Sequence, residues 1–233
     1  MTGNRNDTQD LTRRRLLGRL GGGLAALLLV AAVGAPRPAA AAVPAAQLTA
    51  ADLDQLARVE AYLNGISSLS ARFQQFSSDG GLALGSIYVR RPGRMRVEYD
   101  PPVPVVLVAD GVLVSYYDHE LDQLNQLPLS ASPAWFLLRD PIDLAKDVTV
   151  TAVRQGPGVL RVTMHQTDEP EAGAVTLVFS DQPLELRQWT LTDAQGREVR
   201  IGLHDVKMGG ELANDLFATP RRRSGPGSSS RDN

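Results

Sequence analysis

The sequence predicts a mainly β (α+β) domain in which one helix precedes a long antiparallel sheet. Two observations support this fold class. From Leu69 onward, short segments with strand periodicity follow one another, separated by turns rich in Gly, Pro and Asp. No helical crossover separates these segments, which argues against a parallel sheet. About eleven short strands in series predict a meander, a barrel or a strongly curved sheet.

The helix is predicted to begin after Thr49 and to end at Gly65. Thr49 is suited to cap it, and Asp52 falls in the first turn, where a negative charge is favourable. Five apolar residues recur at helical spacing. They are Leu53, Leu56, Tyr62, Leu63 and Ile66.

The strands are predicted from alternating or continuous apolar runs, bounded by turn residues such as Asp79-Gly80-Gly81 and Asp110-Gly111. They are residues 69–77, 82–91, 94–100, 104–109, 112–118, 121–127, 147–155, 158–166, 174–180, 184–192 and 197–206.

One segment interrupts the strands. Ser132 is a good helix cap, Pro133 suits a first helical position, and four large apolar residues follow: Trp135, Phe136, Leu137 and Leu138. A helix this short needs an apolar support, and residues 141–146 are predicted to add a second short turn.

Strand alternation locates the apolar interior. Met95, Val97 and Tyr99 are predicted to share one face, with Arg94, Arg96 and Glu98 in water. In the preceding strand Ile87, Val89 and Arg91 share a face. Arg91 therefore ends an apolar face, and two interpretations stay open. It donates hydrogen bonds to the last carbonyls of a short helix, or it extends to solvent at the end of the strand.

The two ends of the chain differ from this domain. Residues 1–42 read as a signal peptide, with basic residues, the apolar run Leu24–Ala35 and a small-residue cleavage region. Arg13-Arg14-Arg15 before Leu16-Leu17 resembles a twin-arginine signal, although an ordinary basic region also fits. Residues 43–220 form the predicted domain, and residues 221–233 offer no apolar residue to bury, which predicts a disordered tail.

Composition excludes several functions. The 233 residues contain no Cys, so thiolate metal sites and a Cys nucleophile are ruled out. Without residues 1–42 the net charge is −6, which argues against nucleic acid as a partner. Catalytic motifs are also lacking: the histidines His119, His165 and His204 are far apart, and no nucleophile elbow or phosphate loop follows a strand. We therefore predict no enzyme activity, no metal site and no cofactor.

Several runs, in order, resemble the LolA family of periplasmic lipoprotein carriers. The most specific is Gly85-Ser86-Ile87-Tyr88-Val89-Arg90-Arg91-Pro92-Gly93-Arg94-Met95-Arg96-Val97-Glu98-Tyr99. The others are Leu69–Gln75 in the first strand, the Val106–Gly111 hairpin, the lid-like Ser132–Leu138 and the closing Phe217–Pro220. This resemblance covers about residues 50–220.

The resemblance implies a half-open antiparallel barrel of about eleven strands, covered by a lid of short helices. It assigns Arg91 as the latch that hydrogen-bonds the lid backbone, and Trp135, Phe136, Leu137 and Leu138 as the lid. Five residues are then expected to line a cavity for acyl chains. They are Ile87, Val89, Met95, Val97 and Tyr99.

The function implied is that of a monomeric periplasmic carrier, which shields lipoprotein acyl chains between the inner and outer membranes. The expected partners are triacylated lipoproteins, an inner-membrane lipoprotein-releasing ABC transporter and an outer-membrane receptor. Two alternatives remain open: a regulatory module of the same fold that senses lipid or lipoprotein, and a hydrolase of an envelope lipid.

Overall fold

An eleven-stranded antiparallel sheet forms the framework of the protein. The computed structural model describes residues 45–132 and 135–220; the predicted signal peptide and the predicted tail lie outside the described residues. The strands are β1 (Ser68–Ser77), β2 (Leu82–Arg90), β3 (Arg94–Tyr99), β4 (Val105–Asp110), β5 (Leu113–Asp118), β6 (Gln123–Pro128), β7 (Val148–Gly156), β8 (Val159–Gln166), β9 (Ala174–Asp181), β10 (Leu184–Thr192) and β11 (Glu198–Met208). The α-helices are α1 (Ala50–Asn64) and α2 (Leu144–Asp147), and 3-10 turns occur at Leu129–Ala131, Trp135–Leu138, Pro170–Ala172 and Asp215–Phe217.

The strand order is β6-β5-β4-β3-β2-β1-β11-β10-β9-β8-β7. Two meanders, β1–β6 and β7–β11, are therefore joined by the pairing of the first strand with the last. Each of the eleven predicted strands is confirmed, with boundaries that shift by one or two residues. The sheet remains open, with β6 and β7 at its edges, and the backbone N–H of Ala46 donates to the carbonyl of Val150 on β7.

The buried core lies on one face of the sheet, which we call the inner face. Alternate residues of each strand point to it, as the pairs Phe73↔Gly85 and Ile87↔Val97 show. The same alternation continues into the second meander, where Leu177 pairs with Val162 and Trp189. Large inner-face residues such as Phe73, Leu177 and Phe179 are almost fully buried.

Helix α1 packs on this inner face. Its predicted start is confirmed: the Thr49 hydroxyl accepts from the Asp52 N–H, and the Asp52 carboxylate accepts from the Thr49 N–H at 2.9 Å. Tyr62 stacks edge-on against Phe179, with 5.7 Å between ring centroids. Of the five apolar residues at helical spacing, Leu53 is 55% exposed, and Val59, which was not among them, is buried.

The opposite, outer face is partly covered by the end of the described chain. Residues 210–217 cross it, and Phe217 is buried there beneath the Arg90 guanidinium. Arg90 Nη1 donates to the carbonyl of Leu212, and Arg96 Nη1 donates to that of Leu216. The prediction that Arg94 and Arg96 point into water is therefore wrong, since both are half-buried beside this segment.

None of the helices in the two described ranges is both long enough and apolar enough to cross a bilayer.

Candidate functional site

The candidate site is the lid segment, residues 132–147, together with the groups that hold it. The predicted short helix is one turn of 3-10 helix, Trp135–Leu138, and the predicted second turn is α2, which begins at Leu144. Pro133 and Ala134 lie outside the described residues. Four residues of the segment are at most 5% exposed: Phe136, Leu138, Ile142 and Leu144. The segment thus turns its apolar side inward.

The lid segment is anchored to both meanders. In the β2–β3 turn, the N–H of Gly93 donates to the carbonyl of Leu138 at 2.7 Å. On β8, Gln166 Nε2 donates to the carbonyl of Ser132 at 3.0 Å. Because these anchors belong to different meanders, the segment spans from one half of the sheet to the other.

Helix α1 supplies a third anchor. The Asn64 side chain accepts from the N–H of Ile142 and donates to its carbonyl, both at 2.8 Å. One turn earlier, the Glu60 carboxylate accepts from the N–H of Leu144 at 2.8 Å. The carboxamide of Asn64 thus bonds both the N–H and the C=O of Ile142, as a residue on a neighbouring strand would.

Arg91 acts on the same region through α1. Its Nη2 donates at 3.2 Å to the carbonyl of Asn64, which is the last residue of α1. Arg91 thus binds the end of a helix, but that helix is the 15-residue α1 and not the short helix that the sequence suggested. In the described residues the Trp135–Leu138 turn is instead held by the backbone of Gly93.

The Arg91 guanidinium lies in an unusual environment. Its Nε and Nη1 atoms are buried without a hydrogen-bond partner in the described chain. Burial lowers the pKa of Arg91, and the negative charge of Asp140 opposes that shift. Each unmet donor costs the folded state about 1–3 kcal/mol, because it is removed from water without gaining a partner.

Within the lid segment, Arg139 forms an ion pair with Asp147 and lies over the Trp135 ring, 4.8 Å from its centroid. The Asp147 side chain is only 2% exposed, so this ion pair is largely buried on the carboxylate side. Asp143 caps α2 by accepting from the N–H groups of Ala145 and Lys146. These contacts fold the segment onto itself.

The five residues predicted to line an acyl cavity lie together on the inner face of β2 and β3. Ile87 pairs with Val97, and Val89 pairs with Met95. Ile87, Val97 and Tyr99 are buried, while Val89 and Met95, nearer the Gly93 turn, are half-buried. Their binding of acyl chains remains a prediction.

Tyr99 adds a polar contact to this surface. Its hydroxyl donates to Gln75 Oε1 at 2.7 Å, and its ring packs edge-on against Phe73. Burial raises the pKa of Tyr99 well above its usual range, so the phenol stays neutral at physiological pH. This part of the inner face therefore carries no charge.

The candidate catalytic residues are scattered. His119 packs on Tyr117, His165 is buried with Nδ1 near the carbonyl of Gln166, and His204 is exposed on β11. Across the described parts of the chain, no three His, Asp or Glu residues are grouped so as to hold a metal ion.

Sequence reasoning missed Asn64, Glu60, Gly93 and Gln166. Asn64, Glu60 and Gln166 act through side chains that bond distant backbone groups. Gly93 acts through its own backbone N–H. Only Gly93 carried a sequence signal, the turn dipeptide Pro92-Gly93, and its φ of 76° is one that glycine adopts readily.

We expect Asn64→Ala to loosen the lid segment locally. Two half-buried backbone groups of Ile142 would lose their partners, and about 1–3 kcal/mol of local stability would be lost. Amide hydrogen exchange at Ile142 and Leu144 should accelerate roughly ten- to hundredfold, with the β8–β10 amides unchanged. Asn125→Ala, at an exposed position on β6, is the control. Equal exchange in the two variants would contradict this anchor.

The sequence is similar to that of a known protein family. A family model described as "Outer membrane lipoprotein carrier protein LolA" matches residues 64–220. An outer-membrane lipoprotein carrier protein of Chromohalobacter salexigens is 30% identical over 170 residues, which cover 69% of this chain and 80% of that protein.

A Rickettsia prowazekii protein named uncharacterized protein RP864 is 28% identical over 121 residues, which cover 52% of this chain and only 57% of that protein. Among solved structures, a LolA superfamily protein of Nitrosomonas europaea is 9% identical with a TM-score of 0.41, covering 70% of this chain and 97% of that one. Because the family model matches well over half of the sequence, the chain belongs to the LolA family.

Proposed function

We propose that this protein carries lipoproteins by shielding their acyl chains between the inner face and the lid segment. The observation that carries the proposal is the lid segment itself. Its four apolar residues are buried, yet other elements hold its backbone by only a few hydrogen bonds. Such a cover is removable.

The energies allow acyl chains to enter beneath the lid segment, because its four buried apolar residues then pack on the chains and stay out of water. A net hydrogen bond contributes about 1 kcal/mol, so releasing the anchors costs roughly 5 kcal/mol. Burying a methylene gains about 0.8 kcal/mol, so a single chain of a dozen methylenes gains about 10 kcal/mol. Cargo can therefore hold open a lid that closes again when the cargo leaves.

The names of the relatives support the route that we propose. Proteins similar to this chain are named outer-membrane lipoprotein carrier proteins. We accordingly place this protein in the periplasm. It receives triacylated lipoproteins from an inner-membrane lipoprotein-releasing ABC transporter and delivers them to a receptor at the outer membrane. Non-covalent binding suffices for this role, so the proposal includes no catalytic step.

Bound material recovered from cells tests the proposal. The full chain, expressed in its own host and purified from the periplasmic fraction, should retain triacylated lipoprotein N-termini that mass spectrometry detects. Met95→Glu would place a charge on the inner face and should remove most of that cargo. Leu121→Glu, at a side chain that is 69% exposed, should keep it.

Two outcomes would overturn the proposal. Recovery of free phospholipid alone would indicate a general lipid-binding protein. Equal cargo in the Met95→Glu and Leu121→Glu proteins would show that the inner face does not bind acyl chains.

A further inference from the structure

A second concave site lies at the end of the sheet, outside the inner face. It is a cavity of about 520 Å³ between the β2–β3 turn and the β4–β5 turn. Three arginines line it, Arg90, Arg91 and Arg94, together with Asp110, Val112 and Asn214. Positive charge thus concentrates here although the whole chain has a net charge of −2.

The three guanidinium groups bind neutral oxygens. Arg90 Nη2 and Arg94 Nη1 both donate to Asn214 Oδ1, at 2.7 and 3.2 Å. Arg91 Nη2 donates to the Asn64 carbonyl, and its Nε and Nη1 have no partner in the described chain. None of these arginines has a described carboxylate within ion-pair distance. Their charges are therefore not neutralised by direct contact.

The acidic residue of the lining is already engaged. Asp110 Oδ1 accepts from the N–H groups of Val112 and Leu113, both at 2.9 Å. These bonds and the nearby charge of Arg94 lower the pKa of Asp110, so its carboxylate is ionised and fixed within its own turn. Three positive charges and one negative charge line the cavity, and Asp140, outside the lining, also acts on Arg91. The balance remains positive, which makes the cavity attractive to an anion.

The cavity also has an apolar tip. Val112 is 74% exposed at the end of the β4–β5 turn and lies in the lining beside the arginines. An exposed apolar side chain flanked by arginines suits the interface of a bilayer, where the apolar group enters the headgroup layer and the guanidinium groups meet phosphates. Free phosphate would make no use of Val112.

We propose that the cavity lined by Arg90, Arg91 and Arg94 binds the phosphate of an anionic phospholipid headgroup and docks the protein on a membrane surface, with Val112 inserted beside it. This inference goes beyond the proposed carriage of acyl chains, because it concerns the headgroup of a membrane lipid and holds for any cargo. Since Gly93 in the same turn anchors Leu138, the docked face lies next to the lid segment.

Vesicle binding tests the proposal with the full chain. Sedimentation with phosphatidylcholine vesicles that contain one part in three of phosphatidylglycerol should bring down the protein, and pure phosphatidylcholine vesicles should not. Arg94→Gln keeps a donor for Asn214 and should weaken binding about fivefold, the contribution of one arginine at an anionic surface. Val112→Ser should also weaken it.

The control removes the same charge elsewhere. Arg154→Gln lies on β7, at the far edge of the sheet, and should change binding less than twofold. Equal losses in the Arg94 and Arg154 variants would overturn the proposal, because only overall charge would then matter. A second outcome would also overturn it. If calorimetry showed that Arg94→Gln abolishes binding of inorganic phosphate while vesicle binding stays unchanged, the cavity would be a site for free phosphate. Neither outcome bears on cargo recovery, so the two proposals fail separately.

Discussion

Replacing Arg91 with leucine should trap cargo without weakening the fold. Two structural effects act in the same direction. The hydrogen bond from Arg91 to the Asn64 carbonyl is lost, which removes about 1.5–3 kcal/mol from the closed arrangement. Leucine also adds an apolar side chain two residues after Val89, at the end of the strand where acyl chains are proposed to bind.

The fold itself should tolerate the change. Arg91 buries two nitrogen atoms that have no partner in the described chain, and leucine removes that cost. We therefore expect a melting temperature equal to or above that of the unchanged protein. Release of bound lipoprotein to acceptor membranes should fall at least about tenfold, since each 1.4 kcal/mol of added retention is a factor of ten.

The measurement is transfer of a labelled lipoprotein from the purified complex to acceptor vesicles, combined with thermal unfolding. Arg154→Leu makes the same substitution at an exposed position on β7 and should leave both quantities unchanged. A normal transfer rate for Arg91→Leu would refute the latch role. A large loss of stability would show that Arg91 mainly supports the fold.

Gly85→Ala should be the most damaging small substitution on the inner face. A Cβ at this position would lie 2.3 Å from the carbonyl oxygen of Glu98 and 2.5 Å from the Phe73 ring. The first is backbone of the paired strand, and the second is a ring that is 2% exposed and packed on Tyr99. Neither can move without disturbing the packing of β1, β2 and β3.

We expect a loss of about 3 kcal/mol in the free energy of unfolding, at the upper end for overpacking. In a domain of this size the melting temperature should fall by roughly 6–12 °C. Gly202→Ala is the matched control, because a Cβ there meets only the Gln74 oxygen at 4.0 Å. If both variants unfold at the same temperature, the tight contact at Gly85 is not limiting.

The strands could be predicted from the sequence because their signal is local. Alternation in Arg94–Tyr99 and turn residues such as Asp110-Gly111 depend only on neighbouring residues, and each strand was found. The capping box of α1 was readable for the same reason, since Thr49 and Asp52 lie in one turn.

The anchors of the lid segment could not be predicted because they join residues far apart in sequence. Asn64 and Ile142 are 78 residues apart, and Gly93 contributes a backbone N–H that every residue except proline possesses. The partner of Arg91 likewise depends on where α1 ends relative to β2. The alternation in β3 also predicted that Arg94 and Arg96 face solvent. Strand periodicity cannot show that residues 210–217 cross the outer face and cover these side chains.

The pairing of β1 with β11 bears on how the polypeptide acquires its structure during synthesis. Each meander consists of neighbouring hairpins and can assemble from local contacts, whereas Phe73 meets Leu203 only after nearly the whole domain has left the ribosome. The central seam of the sheet therefore closes last. Until then each meander exposes an unpaired strand edge, which favours aggregation. The cell must therefore limit the lifetime of this state or cover the exposed edges.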